Sequence, residues 1–395
     1  MSVPVVRTIT LGIAEAHPIS RQTFEKARLL LQQAQQRYNA AGYVVQTVRL
    51  STRPLLTDLA DWSPAAILKY AQDVQGFLDS LQLENCSLGT AFAYRPDFSL
   101  ERLDVLGDIL IATNSLNATV SLADAEHGLR FDAALPIAHL MLRLAHETPE
   151  GFGNFRFAML ACVPPNGPFF PAAYHAGAST ITIGLQGAQV VMQALEELGA
   201  DGRRALDLPQ ITNRVRTTLE EQAGPVVALG QTIAREQGVR FGGIDLSPAP
   251  MGEVSIVRAM ELCGYGPLGS SGTLAVAAAL TTALKETSLP TCGYNGLMLP
   301  VLEDVVLGQR WEERRINAHQ LLLYSAVCGT GLDTIPLAGD STPESIAYLL
   351  LDVATLALRY QKPLSARLFP VPGRRAGELT QFTSPYLTNT RITEE

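Results

Sequence analysis

The stretch Thr291-Cys-Gly-Tyr-Asn-Gly-Leu-Met-Leu-Pro-Val-Leu-Glu-Asp304 puts a lone thiol, Cys292, on a glycine-flanked bend and ends an apolar run in two acids, Glu303 and Asp304. Gly293 and Gly296 let the backbone bend sharply, which could expose the sulfur. A thiolate nucleophile needs a lowered pKa, and the nearest charges along the chain are acidic and raise it. Tyr294 and Asn295 could instead supply hydrogen bonds to a ligand.

Four further segments carry residue types able to do chemistry. Tyr174 and His175 lie in a loop rich in Gly, Pro and aromatics, PNGPFFPAAYHAG, just before an apolar run. A histidine there is a general acid, base or metal ligand, or it braces the loop through a carbonyl. In GGIDLSPAP, Asp245 falls inside an apolar run. A carboxylate so placed is paired, metal-bound or protonated, or it caps the next turn. Arg367 in SARLFPV is the mirror case and needs an acidic partner or an anionic ligand. Gly269-Ser270-Ser271-Gly272-Thr273 precedes an apolar helix. Its free N–H groups and hydroxyls could cradle an anion or simply cap the helix. It lacks the Gly-Lys-Ser/Thr of a nucleotide-binding loop, and no other nucleotide motif is found.

A divalent metal is conceivable at Asp245, Glu303 and Asp304 if they converge. Asp124, Glu126 and His127 mix two acids and an imidazole in one turn without HxxxH or HExxH spacing, so a polar loop is the default there. Arg374 and Arg375, beside Gly373 and Gly377, read as a solvated turn or as a mobile loop over a pocket.

The elements that must position these groups alternate. Short apolar runs at 7–13, 44–50, 88–94, 118–123, 154–162, 179–185, 241–247, 297–302, 332–337 and 365–371 predict ten strands buried on both faces. Amphipathic stretches between them, such as 21–40, 63–81, 208–237 and 342–360, predict helices; Ser341-Thr342-Pro343-Glu344 is a good helix start. Such alternation predicts an α/β fold with parallel strands and right-handed crossovers. Ten strands exceed the eight of a standard barrel, leaving an open doubly wound sheet or two half-sheets closing into a larger barrel. No linker or repeat divides the chain, so 1–395 reads as one domain. A large barrel leaves an interior on which loops converge. One pocket lined by Tyr174, His175, Asp245, Cys292, Asn295, Glu303, Asp304 and Arg367 is therefore expected.

Composition sets the setting. The chain of 395 residues is 47% hydrophobic with net charge −8. With no Lys/Arg stripe, no nucleic-acid surface is expected. No apolar run is long enough for a membrane span. Five scattered cysteines without a CxxC pair suit reduced thiols in the cytoplasm. A homodimer is the default for a soluble enzyme of this size.

In order along the chain, RTITLGI, PFFPAAYHAG, GVRFGGIDLSPAP, LGSSGT, TCGYNGLMLPVLED, GLDTIPL and ARLFPVPGRRAGE together resemble an uncharacterised prokaryotic group, domain-of-unknown-function family 711, over nearly the whole chain. The resemblance implies a ten-stranded α/β barrel related to the glycyl-radical enzymes of the pyruvate formate-lyase type. It also implies a finger loop into the barrel, with Cys292 matching the group's cysteine. Those enzymes carry an Arg-Val-x-Gly-aromatic segment near the C-terminus; PVPGRRAGEL has no aromatic after its glycine, so radical chemistry is not expected. The expectation is an enzyme acting on a small polar or anionic metabolite by proton transfer, as a lyase, isomerase or hydrolase. The alternative is a non-catalytic small-molecule-binding or regulatory protein using the same pocket.

Overall fold

Aliphatic and β-branched runs enclosed on both faces become strands in this computed structural model, which describes residues 3–393. They are β1 (Val6–Gly12), β2 (Val45–Ser51), β3 (Cys86–Ala91), β4 (Leu116–Asp124), β5 (Gly128–Leu129), β6 (Phe157–Ala161), β7 (Thr180–Leu185), β8 (Arg240–Asp245), β9 (Gly331–Ala338) and β10 (Leu364–Val371). All belong to one ten-stranded sheet in the order β8-β7-β1-β2-β3-β4-β6-β10-β9, with β5 a short antiparallel flap on β4.

Strand direction divides the sheet. β1, β2, β3, β4 and β6 run parallel, as alternation with helices predicts. The pairs β7–β8 and β9–β10 are also internally parallel, but each joins the first set antiparallel, at β1–β7 and β6–β10. The edges β8 and β9 do not pair with each other. The segment 291–302 runs between them, bridging Ile244 of β8 through Thr291 and Asp333 of β9 through Pro300. Residues of β1, β2, β4, β6, β9, β10 and this segment all line one cavity, so the sheet curls into an α/β barrel with the segment 291–302 as the finger in its seam.

The expected strand at 297–302 is the one that does not form. Pro300 removes a ladder donor, and the run contributes a single bridge instead. The two-residue β5 has no apolar run behind it.

Helices cover the barrel, and their starts follow the sequence closely. Ser20, Ser63, Asp207 and Thr342 accept from the third residue of the helices Arg21–Ala40, Pro64–Leu81, Leu208–Glu236 and Pro343–Tyr360. The core is one large aliphatic cluster shared by strands and helices, with two smaller ones, one around Leu302, Phe369, Phe382 and Ile392 that seats the C-terminal segment and one of Ala158, Leu160, Ala172, Tyr174 and Tyr294. Among the described residues no helix is long and apolar enough to cross a membrane.

Candidate functional site

Charged side chains inside doubly buried strands must meet each other, and four of them do. Arg7 from β1, Arg49 from β2, Asp333 from β9 and Arg367 from β10 line a cavity of about 280 Å³ together with Glu303 from the end of the finger. Arg156, just before β6, joins them. Phe155, Phe169, Phe170, Tyr294 and Tyr386 supply aromatic walls, and Glu84 with Asn85 and Asn114 forms part of the polar lining ahead of β3 and β4.

The charges are not evenly matched. Arg367 donates through Nε to Asp333 Oδ1 at 2.6 Å and through Nη2 to Glu303, so both interior acids rest on one guanidinium. Burial lowers the Arg367 pKa, but Asp333 and Glu303 outweigh it and hold the group firmly charged. Burial pushes the Glu303 carboxyl up, against the pull of Arg367. Arg7 reaches Glu303 only at 4.0 Å. Among the described residues Arg49 has no carboxylate in ion-pair range: its Nε donates to Thr47 Oγ1 at 3.1 Å, and its guanidinium lies 5.1 Å from the Phe170 ring centroid. Burial first, and then the neighbouring Arg7, push Arg49 down to about 9. Arg156 spends its two Nη groups on the carbonyls of Leu116 and Leu110. Among the described residues, Arg7 and Arg49 are thus the cavity cations whose Nη groups make no hydrogen bond, an arrangement suited to an anion.

The finger is fixed by an acid that does not enter the cavity. Asp245 is fully buried, and its Oδ1 accepts from Ser247 N, Ser247 Oγ and Asn295 N at 3.0, 2.6 and 3.2 Å. Its Oδ2 accepts from Tyr294 N at 2.8 Å. Asn295, at φ +47°, returns the grip by accepting from Leu246 N at 3.0 Å. Gly293 is required here, since a Cβ would stand 2.2 Å from Asp245 Oδ2 at a φ of +73°. This latch turns Tyr294 into the cavity, while Cys292, Gly293 and Asn295 line a separate, more open pocket of about 380 Å³ with Asn166, Thr180 and Arg240. Burial, then the Asp245 carboxylate, push the Cys292 thiol well above its ordinary value.

The single pocket expected from the sequence is therefore divided. Glu303 and Arg367 share the central cavity; Cys292 and Asn295 face the second pocket. Asp245 lies between the two as the latch. Tyr174 braces the loop by donating to Val163 O at 2.9 Å and packs edge-on to Phe92. His175 is buried at the C-terminal end of β1, its ring against Gly12, where a Cβ would lie 2.1 Å from Nδ1. Its Nε2 contacts Gly177 O at 3.2 Å, and burial lowers its pKa, so it is neutral.

Asp304 caps two helices, accepting from Val306 N and Leu307 N at 3.0 Å and, from the other, from Ile256 N at 3.0 Å and Ser255 Oγ at 2.6 Å. Gly269, Ser270, Ser271, Gly272 and Thr273 form the turn before helix Thr273–Lys285, with Gly269 packed on the Arg315 carbonyl, outside both pockets. Asp245, Glu303 and Asp304 do not converge as metal ligands; among the described residues only Asp124, Glu126 and His127 approach that spacing, at the surface. Within that group His127 Nδ1 lies 3.0 Å from Asp124 Oδ1.

The interior residues missed in the sequence, Arg7, Arg49 and Asp333, carry the same mark that singled out Arg367: a charge inside a strand buried on both faces. Only the relation between strands, which decides that these charges share one interior, was invisible.

The family model described as Uncharacterised ACR (DUF711) matches residues 2–384. The UPF0210 protein of Pyrobaculum islandicum is 28% identical over 395 aligned positions, covering 96% of this chain and 85% of the relative. That of Pyrobaculum aerophilum is 31% identical, covering 85% of this chain and 76% of its own length. Among solved structures, the anaerobic ribonucleotide reductase from Thermotoga maritima with citrate in its active site aligns at 11% identity and a TM-score of 0.43, covering 92% of this chain and 80% of that one.

Proposed function

We propose, for a chain that belongs to the family described as Uncharacterised ACR (DUF711), that the central cavity binds a small anionic metabolite bearing a carboxylate or phosphate. The observation that carries this reading is the pair Arg7 and Arg49, two largely buried guanidiniums facing one cavity with no carboxylate hydrogen-bonded to either among the described residues and only a 4.0 Å ion pair from Arg7 to Glu303. An anion entering between them supplies the acceptors they lack, and binding energy comes from pairing charges whose desolvation the fold already bears.

Turnover by proton transfer would fall to Tyr294 and Glu303, which share the cavity with Arg7 and Arg49. Burial raises the Tyr294 phenol strongly, so it acts as a donor or acid rather than as a base. His175, buried elsewhere, is not within the cavity lining. A receptor without turnover is favoured by a different observation: Glu303 and Asp333 are both tied to Arg367.

The test is calorimetric titration of the protein with inorganic phosphate, malonate and a neutral diol of similar size. The anion reading expects the first two to bind and the diol not to. Equal heats for all three, or none, end it. Incubating the protein with a cell extract and following the loss of any acidic metabolite separates enzyme from receptor, with Tyr294→Phe as the control that must abolish the loss.

A further inference from the structure

The C-terminal segment packs where a cover for the cavity would lie. Residues 382–389 form a loop with a tied neck: Asn389 Oδ1 accepts from Phe382 N at 2.7 Å, and Thr380 N donates to Thr390 O at 2.9 Å. The neck is seated in the core, with Phe382, Leu387 and Ile392 buried against Leu302 and Phe369. Thr388 N donates to Leu302 O at 2.6 Å, and Thr390 Oγ1 donates to Gly308 O at 2.7 Å. On the far side Thr383 Oγ1 donates to Glu150 at 2.7 Å. These bonds fix the loop beside the finger, next to Glu303.

The tip differs from the neck. Tyr386 is 62% exposed, yet it lines the central cavity. Its ring stacks on Phe155 at 6.2 Å and 21°, and Phe155 in turn carries the Arg367 guanidinium 5.0 Å from its centroid. It shares that lining with Arg7 and Arg49. A residue that is solvent-exposed, stacked on one side and set in the same cavity wall as Arg7 and Arg49 contributes little to the core. Its position is that of a side chain that meets whatever enters between those cations.

We infer that the C-terminal loop completes the anion site, with Tyr386 as the ligand-contacting residue that closes over an anion held by Arg7 and Arg49. The inference rests on the anion reading of the cavity and adds the residue that shuts it. A phenol hydroxyl donates one hydrogen bond to an oxyanion, and the ring shields the guanidiniums from water, so the loop slows release rather than capture.

The experiment uses the full chain, with inorganic phosphate and malonate as probes, followed by titration calorimetry and stopped-flow dissociation. Tyr386→Phe keeps the ring and loses the hydroxyl, and affinity is expected to fall about fivefold. Tyr386→Ala is expected to raise the dissociation rate on the order of tenfold while association changes little. The melting temperature without probe should stay put in both variants, because the buried neck is untouched. Wild-type affinity and release rates in Tyr386→Ala overturn the inference and leave the anion reading standing. No binding of either probe to the wild type overturns both.

Discussion

Glu303 and Asp304 are neighbours in the chain and face opposite duties: one carboxylate lies in the cavity on Arg367, the other is sealed against the N-termini of two helices. The step between them is where the finger ends and helix Val305–Glu312 begins. A helix start offers several free N–H groups, and Asp304 meets those of two helices at once.

Replacing each acid should separate these duties. Asp304→Ala removes the shared cap and should lower unfolding free energy by about 3 kcal/mol, read from urea denaturation, with phosphate affinity of the folded fraction kept. Glu303→Gln should do the reverse: it removes the negative charge facing Arg7 and Arg367, with Asp333 still holding Arg367, and tightens phosphate binding severalfold with a small change in stability. Equal loss of stability in both variants would argue against the division.

Arg49 is the cation with least support from the protein, and its removal tests what the cavity is for. Arg49→Met fills similar space without the charge, and replacing an unpaired buried ion by an apolar side chain is stabilising by about 1–3 kcal/mol. The apo variant should melt at or above the wild-type temperature. Phosphate, which raises the wild-type melting temperature by binding the folded state, should no longer do so. A variant that melts lower and still responds to phosphate contradicts the assignment.

The strand pattern, the helix starts and the finger segment were all legible along the chain, because periodicity, capping side chains and glycine-flanked bends act within a few residues. Arg367 was legible for the same reason: a charge in a fully buried strand demands a partner. What stayed hidden was register and closure. Whether His175 faces the interior depends on the close approach of Gly12 to its ring, a contact between residues far apart in sequence. Likewise the choice for Asp245 between a pairing, a metal and a cap stays open until the finger is seen to place two backbone N–H groups on it. The antiparallel joins β1–β7 and β6–β10 leave no local mark, since these strands are buried on both faces and so lack the alternation that marks many antiparallel strands.

The Asp245 latch makes a prediction about the thiol beside it. In Asp245→Asn the amide NH2 can occupy only one of two oxygen positions, and either choice sets a donor against an N–H donor. The finger should loosen, with a stability loss of about 2 kcal/mol. Cys292, held by Ile244 O through its own N–H at 3.0 Å, should then react with a maleimide at least several times faster, located by peptide mass mapping. Cys86, Cys263 and Cys328 are buried and should keep their rates. Unchanged labelling of Cys292 would remove the latch from the account.

Acid should act first on His17. Its ring is buried, with Nδ1 2.9 Å from the Tyr70 hydroxyl and Nε2 2.9 Å from Thr52 Oγ1. Burial lowers its pKa to about 4, against an ordinary 6.5, so the folded state holds it neutral. The unfolded chain takes up the proton at higher pH than the folded one does. Stability from this group is therefore complete above pH 6.5, falls as pH drops from there to about 4, and amounts to about 3 kcal/mol in all. His175, also pushed down by burial, adds in the same direction. Urea unfolding at pH 7.5 and pH 4.5 should show the wild type losing most of that amount. His17→Gln, which can keep both hydrogen bonds without titrating, should lose markedly less over the same interval. Parallel losses in the two proteins would place the acid sensitivity elsewhere, among the carboxylates of the ion-paired surface.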